Sequence, residues 1–339
     1  MGIRIGPIET RNRVFLAPMS GVTDEPFRAL AHDFGAGLVV TEMVASEELV
    51  QSRPDMVRRA AGAETVKPFV VQLAGREARW MAEGVRVAQD LGADIIDINM
   101  GCPARQVTGG LSGSALMRDV DHATSLIEAT VGAANVPVTV KMRLGWDHGT
   151  LNAPELARRA ETAGVAMVTV HGRTRCQFYG GKADWQAIAR VREAIDIPLI
   201  ANGDGVTAAD AQEMLNQSGA DGIMIGRGVY GRPWWPGVIA EALDPGTGIR
   251  EPSLADEAVI VLRHHASIIS HHGPHHGNRI ARKHVGWVID RLAQRRLLVA
   301  DQVPVWRGRL LKTDDNDAVA RGLCDLYDLC VTRQAMEPA

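Results

Sequence analysis

From Val14 to about Arg227, apolar segments typical of strands alternate with helical patterns, and this alternation constrains the fold more than any other feature. The predicted strands are residues 14–17, 38–42, 69–73, 95–99, 138–142, 167–171, 199–202 and 223–226. Strands that alternate with helices indicate a parallel α/β sheet, and eight such units indicate a (β/α)8 TIM barrel. A doubly wound sheet is the alternative, weakened because no Gly-x-Gly-x-x-Gly motif follows the first strand.

Residues between the strands are typical of helix ends. Thr207-Ala-Ala-Asp210 resembles a capping box with Asp in place of the usual Glu, and Gly219 is placed to end that helix. Asp184 can cap a second helix, and Asn152 a third that has Pro154 in its first turn.

The chain of 339 residues is long enough for a barrel of ~250 residues and a smaller domain. Asp244-Pro-Gly-Thr-Gly248 interrupts the helical pattern, and only helical patterns follow it. We therefore predict a barrel domain at 1–243 and an all-helical domain at 249–339.

Several classes of protein are disfavoured by composition. Four cysteines are too few for a disulfide framework in a chain of this length. The start lacks the pattern of a signal peptide, and no apolar run approaches the ~20 residues that span a bilayer. A cytoplasmic protein without a membrane segment is expected. Histidine pairs at 264–265, 271–272 and 275–276 are interrupted by Gly and Pro, so we predict an exposed irregular loop there and no metal site.

Polar residues lie at, or just beyond, the carboxyl ends of the predicted strands, where TIM barrels carry their active sites. They are Pro18, Met19, Ser20, Gln72, Asn99, Lys141, His171, Asn202, Gly226 and Arg227. Any one of them could be an ordinary core or rim residue. Their occurrence on one predicted rim indicates a site.

The last two barrel loops are rich in glycine, with Asn202-Gly-Asp-Gly205 after the seventh strand and Gly226-Arg-Gly228 after the eighth. Backbone amides in these two loops often bind phosphate in TIM barrels, and Arg227 can add a charge-assisted hydrogen bond. Simple tight turns are the alternative. A phosphorylated ligand over strands seven and eight is predicted.

Cys102 follows the fourth strand directly, in the segment Asn99-Met-Gly-Cys-Pro103. Gly101 permits a sharp turn and Pro103 ends the strand, which leaves the thiol above the sheet. A thiol with the ordinary pKa of ~8.5 is mostly protonated at neutral pH and can donate a proton. A small buried cysteine that only packs is the alternative. The Gly- and Ser-rich segment Arg105–Leu116 is predicted to be a mobile loop that covers the thiol.

These groups together suit a flavin. Lys141 can stabilise negative charge on a ligand ring, and the amides of Gln72 and Asn99 can bind carbonyl and imide edges. Flavin mononucleotide (FMN) has a phosphate and a ring that becomes anionic on reduction. The residues alone leave the ligand open.

A basic segment lies in the predicted helical domain, although the net charge of the whole chain is only −3. Between Arg279 and Lys312 there are nine Lys or Arg and two Asp or Glu, and Trp287 and Trp306 lie among them. Such a surface can bind phosphate backbones. A solvated helix face with buried tryptophans is an equally good interpretation of charge alone.

Six motifs in order resemble the tRNA-dihydrouridine synthase family. They are VFLAPMSGVTD (14–24), DIIDINMGCP (94–103), KMRLG (141–145), HGRTR (171–175), NGDG (202–205) and IGRG (225–228). The segment RKHVGWVID (282–290) resembles the helical domain of the bacterial B branch of that family.

The resemblance implies a fold, an activity and a set of residue roles. It implies an FMN-bound barrel with a helical tRNA-binding domain, which reduces a tRNA uridine in the D-loop to 5,6-dihydrouridine with NADPH or NADH. Cys102 would be the proton donor, and the substrate residues would be Asn99, Arg143, Arg173 and Tyr179. FMN would be held by Pro18, Met19, Ser20, Gln72, Lys141, His171, Asn202, Gly203, Asp204, Gly226 and Arg227. The tRNA-binding residues would be Arg282, Lys283, Arg291, Arg295 and Arg296.

Three other functions compete with this interpretation. A flavin-dependent reductase or dehydrogenase of a free pyrimidine can use a similar Cys-Pro loop, but it needs no basic helical domain. A non-catalytic RNA-binding protein on a barrel would lack a bound flavin, as would a cofactor-free phosphosugar isomerase. A yellow purified protein would argue against the last two.

Overall fold

A computed structural model of the chain describes residues 1–62 and 66–336. The chain divides into two compact units. The first comprises Met1–Gly228 and Pro236–Ile249, and the second comprises Val229–Trp235 and the chain from Arg250 onward.

The first unit is built on parallel strands. An antiparallel hairpin of β1 (Arg4–Ile5) and β2 (Ile8–Glu9) precedes them and is absent from the sequence-based prediction. The parallel strands are β3 (Val14–Leu16), β4 (Leu38–Val39), β5 (Val44–Ala45), β6 (Val70–Ala74), β7 (Ile95–Met100), β8 (Val138–Arg143), β9 (Met167–His171), β10 (Leu199–Asn202) and β11 (Gly222–Ile225). All eight predicted strands are present, but of the second, predicted over 38–42, only residues 38–39 form a strand, and β5 follows beyond its predicted end.

The strand order closes this sheet into a barrel. In the described residues it runs β4-β3-β11-β10-β9-β8-β7-β6-β5. β4 pairs with β3, β5 pairs with β6, and Val40 between them forms a parallel bridge to Val70. β4 and β5 are therefore two parts of one barrel strand, interrupted at residues 40–43. The predicted TIM barrel is confirmed, and the doubly wound alternative, which requires an open sheet, is wrong.

The barrel interior changes from apolar to polar along the strands. A buried cluster at the amino ends contains Ile3, Ile5, Phe15, Ala17, Leu38, Val40, Val70, Ile95, Met167, Ile200 and Met224. Side chains two positions further along a strand point to the same side of the sheet. This places Gln72, Asp97 and Asn202 above the apolar layer, toward the carboxyl ends.

Helices follow the strands along residues 1–243. They are α1 (Glu25–Asp33), α2 (Ser46–Val50), α3 (Pro54–Ala60), α4 (Ala78–Asp90), α5 (Arg105–Gly109), α6 (Val120–Ala133), α7 (Ala153–Thr162), α8 (Trp185–Arg192), α9 (Ala208–Ser218) and α10 (Trp235–Leu243). The capping box of Thr207 and Asp210 is formed, and Gly219 ends α9 in the left-handed conformation. Asp184 caps α8 through the Ala187 amide. Asn152 occupies the N-cap of α7 but makes no capping bond, because its side chain donates instead to the Met117 carbonyl (2.7 Å).

The second unit is helical throughout its described residues. It contains α11 (Leu254–His272), α12 (Pro274–Gln294), α13 (Gln302–Leu311) and α14 (Asn316–Met336). Val285, Ile289, Leu292, Leu323 and Leu326 contribute to its core. No helix of residues 1–62 or 66–336 combines the length and the apolar character needed to cross a membrane.

The prediction of an irregular loop at the histidine pairs is wrong. α11 continues to His272 and α12 begins at Pro274, so the interruption is Gly273 alone, with a φ of 80°. A single glycine suffices because it reverses the backbone at no steric cost, and Pro274 is preorganised for the first turn of α12. His264 and His265 are buried within α11.

Candidate active site

The register of adjacent strands brings the polar residues of the barrel into one group. Paired positions across neighbouring strands are Gln72 with Asp97, Asn99 with Lys141, Arg143 with His171, and His171 with Asn202. Since these strands are parallel, their carboxyl ends lie at the same end of the barrel. Polar side chains of β6 to β10 therefore form a continuous rim.

A chain of buried hydrogen bonds crosses the rim between β8 and β6. Thr139 Oγ1 donates to Asp97 Oδ1 (2.6 Å), and Gln72 Nε2 donates to Asp97 Oδ2 (2.7 Å). Asn99 Nδ2 then donates to Gln72 Oε1 (2.7 Å). Burial raises the pKa of Asp97, while these hydrogen bonds and the charge of Lys141 act in the opposite direction. This series of hydrogen bonds connects the buried Asp97 carboxylate to the side chain of Asn99, which precedes the cysteine loop on β7.

Cys102 lies at the end of this chain. Asn99 Oδ1 accepts from the amides of Gly101 (3.1 Å) and Cys102 (2.9 Å), and Ser114 Oγ donates to the Cys102 carbonyl (2.8 Å). The half-buried thiol has a pKa raised above its usual value, chiefly by burial. The thiol is thus protonated at neutral pH more completely than an ordinary pKa would make it.

Lys141 is the central cation of the rim. Its Nζ donates to Asn202 Oδ1 (3.0 Å), whose Nδ2 donates in turn to the Met224 carbonyl (2.7 Å). Burial, with a further contribution from Arg143, lowers the pKa of Lys141 to about 8. A negative charge bound nearby would therefore raise the pKa of Lys141 and stabilise its ammonium form.

His171 stands beside Lys141 in a strongly positive surrounding. Burial lowers the pKa of His171 well below its ordinary value, and the charges of Arg143, Lys141, Arg173 and Arg227 lower it further. The imidazole is therefore neutral at physiological pH. The same cations make this side of the rim attractive to an anion.

The loop after β10 approaches His171 so closely that it requires glycine. Gly203 has a φ of 119°, and a Cβ there would lie 2.8 Å from His171 Cδ2 and from Ala183 Cβ. The next residue, Asp204, accepts two hydrogen bonds from Arg173 (2.9 and 2.7 Å). Partial burial alone would raise the pKa of Asp204, but the bonds from Arg173 and from the Ala183 amide outweigh it and lower the pKa.

We expect Arg173→Met to destabilise the first unit by about 3–5 kcal/mol, the cost of breaking a buried ion pair by removing one partner. Arg173 is 1% exposed, and it also donates to the carbonyls of Gly180 (3.0 Å) and Gly181 (2.7 Å). Urea unfolding followed by tryptophan fluorescence measures the change, and Trp185, whose Nε1 donates to the Gly203 carbonyl (2.9 Å), is one of the contributing side chains. Arg192→Met, which removes a more exposed ion pair with Asp221, is the control. Equal losses in the two variants would contradict the structural role of Arg173.

The loops after β3 and β11 complete the rim. Met19 N donates to Thr23 Oγ1 (2.8 Å), which fixes the turn after Pro18, and Ser20 is exposed. The nearest neighbour of a Cβ at Gly226 would be Met19 Sδ at 3.8 Å. Arg227 lies next to it with a side chain 49% exposed and 3.6 Å from Asp204. An exposed cation thus lies beside two glycine-rich loops, and phosphate binding there stays a prediction.

The prediction of a mobile loop over residues 105–116 is wrong. The segment forms α5 and a 3-10 helix, Gly113–Arg118, in which Ser114, Ala115 and Leu116 are buried. Gly113 adopts a φ of 60° against the Cys102 carbonyl, and Arg175 donates to Thr108 Oγ1 (3.2 Å). Because these contacts hold the segment, it is a supporting element of the cysteine loop.

Comparison with known proteins identifies the family. The family model described as Dihydrouridine synthase (Dus) matches residues 15–303. A probable tRNA-dihydrouridine synthase of Rhizobium leguminosarum bv. phaseoli is 60% identical over 286 residues, covering 84% of this chain and 88% of its own. The chain belongs to the dihydrouridine synthase family.

Two further relatives support the assignment to this dihydrouridine synthase family. A probable tRNA-dihydrouridine synthase of Rickettsia bellii is 46% identical over 98% of this chain and 100% of its own. The tRNA-dihydrouridine synthase B of Xanthomonas axonopodis pv. citri is 45% identical over 84% and 86%. Among solved structures, histamine dehydrogenase from Rhizobium sp. 4-9 has a TM-score of 0.56 at 16% identity, covering 78% of this chain and 50% of its own, which supports the fold.

In this member of the dihydrouridine synthase family, the predicted substrate residue Asn99 is bonded to Gln72 and to the cysteine loop. Two further predicted substrate residues are also engaged by the protein itself. Arg143 is 1% exposed and donates to the carbonyls of Gly101, Thr174 and Phe178 (each 2.8 Å). It thereby holds the cysteine loop to the loop after β9, and burial lowers its pKa to about 10. Arg173 holds Asp204 as described. Direct contact of either residue with substrate stays a prediction.

Tyr179 is the exposed member of the predicted substrate residues. Its side chain lies beside two cations, with Arg227 5.0 Å and Arg143 5.6 Å from the ring centroid. At 53% exposure, the ring offers a face on which a base could stack. Its role also stays a prediction.

Most of the predicted tRNA-binding cations form ion pairs inside the helical unit of the synthase. Arg291 contacts Glu251 (2.5 Å) and the fully buried Glu257 (3.2 Å), and Arg295 also contacts Glu257 (2.6 Å). Arg282 contacts Asp314 (2.5 Å). Lys283 is half-buried and Arg296 is exposed. The excess of positive charge counted along the sequence is thus reduced by carboxylates from outside that segment.

Asp97 and Thr139 are the site residues of the synthase that the sequence-based list omits. Asp97 belongs to the same inward face of β7 as Asn99, and a carboxylate there is unusual in a helix-covered strand. This spacing of two along β7 could have identified Asp97. Nothing in the sequence indicates that Thr139 would donate to it.

Proposed function

We propose that the chain is a flavin-dependent tRNA-dihydrouridine synthase. It would reduce a uridine of tRNA to 5,6-dihydrouridine, with FMN as cofactor and NADPH or NADH as reductant. The observation that carries the proposal is the placement of the protonated Cys102 thiol on the same barrel rim as the half-buried Lys141. The relatives named for this activity align over most of their own length and of this chain, which supports the substrate.

The residues of the rim fit FMN. Four cations, Lys141, Arg143, Arg173 and Arg227, stand around His171 on this rim. An anionic ligand would therefore be attracted. Phosphate would be bound by Arg227 and by amides of the loops at Gly203–Asp204 and Gly226–Arg227, with His171 as a neutral hydrogen-bonding partner. Lys141, Asn202, Gln72 and the turn at Pro18–Ser20 would surround the ring.

Bound FMN would supply the hydride that reduces uracil at C6. Cys102 then completes the reaction, because the electron pair released from the C5=C6 bond takes the thiol proton at C5. The thiolate that remains is reprotonated from solvent before the next turnover. The raised pKa of Cys102 favours its recovery as the thiol at neutral pH, and Asn99 holds the loop in place.

The two predicted domains would have different roles. We propose that residues 1–243 form the catalytic domain and that residues 249–339 form the tRNA-binding domain. A stacked uracil in folded tRNA cannot reach a barrel rim, so the base must be turned out of its stack into the site. The B-branch resemblance favours a uridine in the D-loop, and a tRNA substrate favours the cytoplasm.

Neutralising Arg296 is expected to weaken tRNA binding and to lower the slope of log affinity against log salt concentration by roughly 0.7–0.9, the value of one phosphate contact. Arg296 is exposed and is the second residue after α12. Arg296→Gln is the variant, and filter binding from low to high salt is the measurement. Arg295→Gln, also predicted to bind tRNA but paired with Glu257, should have the smaller effect. An unchanged slope for Arg296→Gln would contradict the tRNA-binding role of this surface.

Reduction of a free pyrimidine is the rival activity. The two are distinguished by incubating the purified yellow protein and NADPH with unmodified tRNA, with uridine and with free uracil, and by measuring dihydro products by mass spectrometry. Product from tRNA alone supports the proposal. Product from uracil or uridine at a comparable rate would overturn it.

A further inference from the structure

We propose that Asp97 is a positioning residue that, through Gln72, fixes the orientation of the Asn99 amide and so holds the backbone that carries Cys102. Asp97 is 4% exposed and has no place in the proton transfer proposed above. The inference rests on the proposed role of Cys102. Its physical basis is the direction of every hydrogen bond between the carboxylate and the cysteine loop.

The direction is fixed at the cysteine end because backbone amides can only donate. The amides of Gly101 and Cys102 both point at the Asn99 side chain, so Asn99 must present its Oδ1 to them. Its Nδ2 is then turned toward Gln72. Gln72 must therefore present its acceptor, Oε1, to Asn99 Nδ2, and its donor, Nε2, then faces Asp97.

At the other end Asp97 accepts at both carboxyl oxygens, and its two donors together with the charge of Lys141 favour the ionised form, which can only accept. Asp97 receives Gln72 Nε2 on one oxygen and Thr139 Oγ1 on the other. A side-chain amide can flip and exchange its donor and acceptor, so neither Gln72 nor Asn99 alone specifies an orientation. The carboxylate selects the one that leaves Asn99 Oδ1 available to the loop.

The relay, defined as Asp97, Gln72 and Asn99, is well placed to have this effect. The three side chains are at most 8% exposed, so water cannot easily replace a mismatched partner. Cys102 sits on a loop that Ser114 and Arg143 also hold, but only through its carbonyl and that of Gly101. The relay holds the backbone amides of the same loop, because Asn99 Oδ1 accepts from Gly101 N and Cys102 N.

The relay predicts that two substitutions compensate for each other. In Asn99→Asp, the new carboxylate accepts from both loop amides but requires Nε2 of Gln72, so Oε1 of Gln72 faces Asp97 and two acceptors oppose each other. Adding Asp97→Asn supplies a donor to Gln72 Oε1. The hydrogen bonds from position 97 to Gln72 and from Gln72 to position 99 are then satisfied in the reverse direction. The loop amides still donate to position 99, and the total charge is that of the wild type.

The test is the rate at which iodoacetamide alkylates Cys102, measured by peptide mass spectrometry as a function of pH on the purified proteins. Cys176 is exposed and serves as the internal reference. Loss of positioning should expose the thiol. Asn99→Asp should therefore raise the plateau rate of alkylation reached at high pH, where the thiol is fully ionised and the added carboxylate no longer changes the thiolate fraction. The double variant should return to the wild-type plateau.

A second pair of variants separates the effect of hydrogen-bond direction from the effect of removing a negative charge near Lys141. Asp97→Asn keeps an acceptor for Gln72 and can turn its amide nitrogen to the Thr139 hydroxyl, whereas Asp97→Leu removes the acceptor. Both remove the negative charge. Faster alkylation of Cys102 in Asp97→Leu than in Asp97→Asn supports the relay, and equal acceleration in both overturns it.

These comparisons separate a loss of folding, and a failure of the proposed function, from a loss of the relay. If Asn99→Asp fails to fold, recovery of folding in the double variant supports the relay, and failure of both overturns it. Alkylation needs no tRNA, so absence of dihydrouridine with the wild type would overturn the proposed function while the relay is still decided. With active protein, Asp97→Leu should lower kcat by up to about 10²-fold, as for a misplaced catalytic group, with KM for tRNA nearly unchanged.

Discussion

Replacing Cys102 with alanine is expected to lower the rate of dihydrouridine formation by about 10²–10⁴-fold, the range that a positioned general acid contributes. The thiol is the proposed proton donor, and burial favours its protonated form by raising its pKa. The rate is measured under saturating NADPH with unmodified tRNA. Retained yellow colour of the purified variant would show that the loss arises in the chemical step.

Cys176→Ala is the matched control for this prediction. It removes an exposed thiol of the same unit, in the loop after β9. Its rate should equal that of the wild type. A Cys102→Ala enzyme with undiminished turnover would show that the proton comes from another group, and the assignment of Cys102 would be wrong.

Replacing Lys141 with methionine is expected to weaken flavin binding by roughly 10- to 150-fold, since a hydrogen bond to a charged group contributes about 1.5–3 kcal/mol. Methionine preserves the length of the buried chain and removes the ammonium group that contacts Asn202. Titration of the flavin-free protein with FMN, followed by flavin fluorescence, gives the affinity. Lys182→Met, which removes an exposed charge from the same unit, is the control.

The lowered pKa of Lys141 also predicts how the affinity for FMN depends on pH. In the free protein the ammonium group loses its proton as pH rises through about 8. An anionic ligand stabilises the protonated form, so the bound pKa is higher and binding takes up a proton. Affinity should therefore fall above pH 8, by at most about tenfold per pH unit until the bound pKa is reached. Lys141→Met should lose this dependence, and a wild-type affinity that is constant from pH 7 to pH 9 would contradict it.

The barrel could be predicted from sequence because its evidence is local and repeated. Each strand is a short apolar run bounded by a helix cap or glycine, and eight repetitions leave few alternatives. The interruption of the second strand at residues 40–43 could not be predicted, because 38–42 is continuously strand-like. Only the separate pairing of β4 with β3 and of β5 with β6 reveals it.

The segment after Cys102 shows where composition misleads. Glycine and serine in residues 105–116 are typical of a mobile loop, yet Gly113 and Ser114 make close contacts with the Cys102 backbone. Glycine is present there for its conformation, and the serine for a buried hydrogen bond. The sequence alone cannot distinguish these two roles from flexibility, because both depend on contacts with the Cys102 backbone that only the structure shows.

The charges of the helical unit were also impossible to assign from sequence alone. Arg291 and Arg295 lie in a segment that is basic along the chain, but Glu257 lies 34 residues or more before them and is buried against both. Because pairing depends on distance in space, a local count of charge overestimates the surface available to RNA. Exposure therefore makes Arg296 the sharper test of tRNA binding.

The most direct test of the central claim is a map of dihydrouridine in tRNA from a strain that lacks this gene and carries either the wild-type chain or Cys102→Ala. Dihydrouridine should be missing from a D-loop position in the deletion strain. The wild-type chain should restore it, and the alanine variant, expressed to the same level, should not. A deletion strain with a complete set of dihydrouridines, or full restoration by Cys102→Ala, would contradict the account.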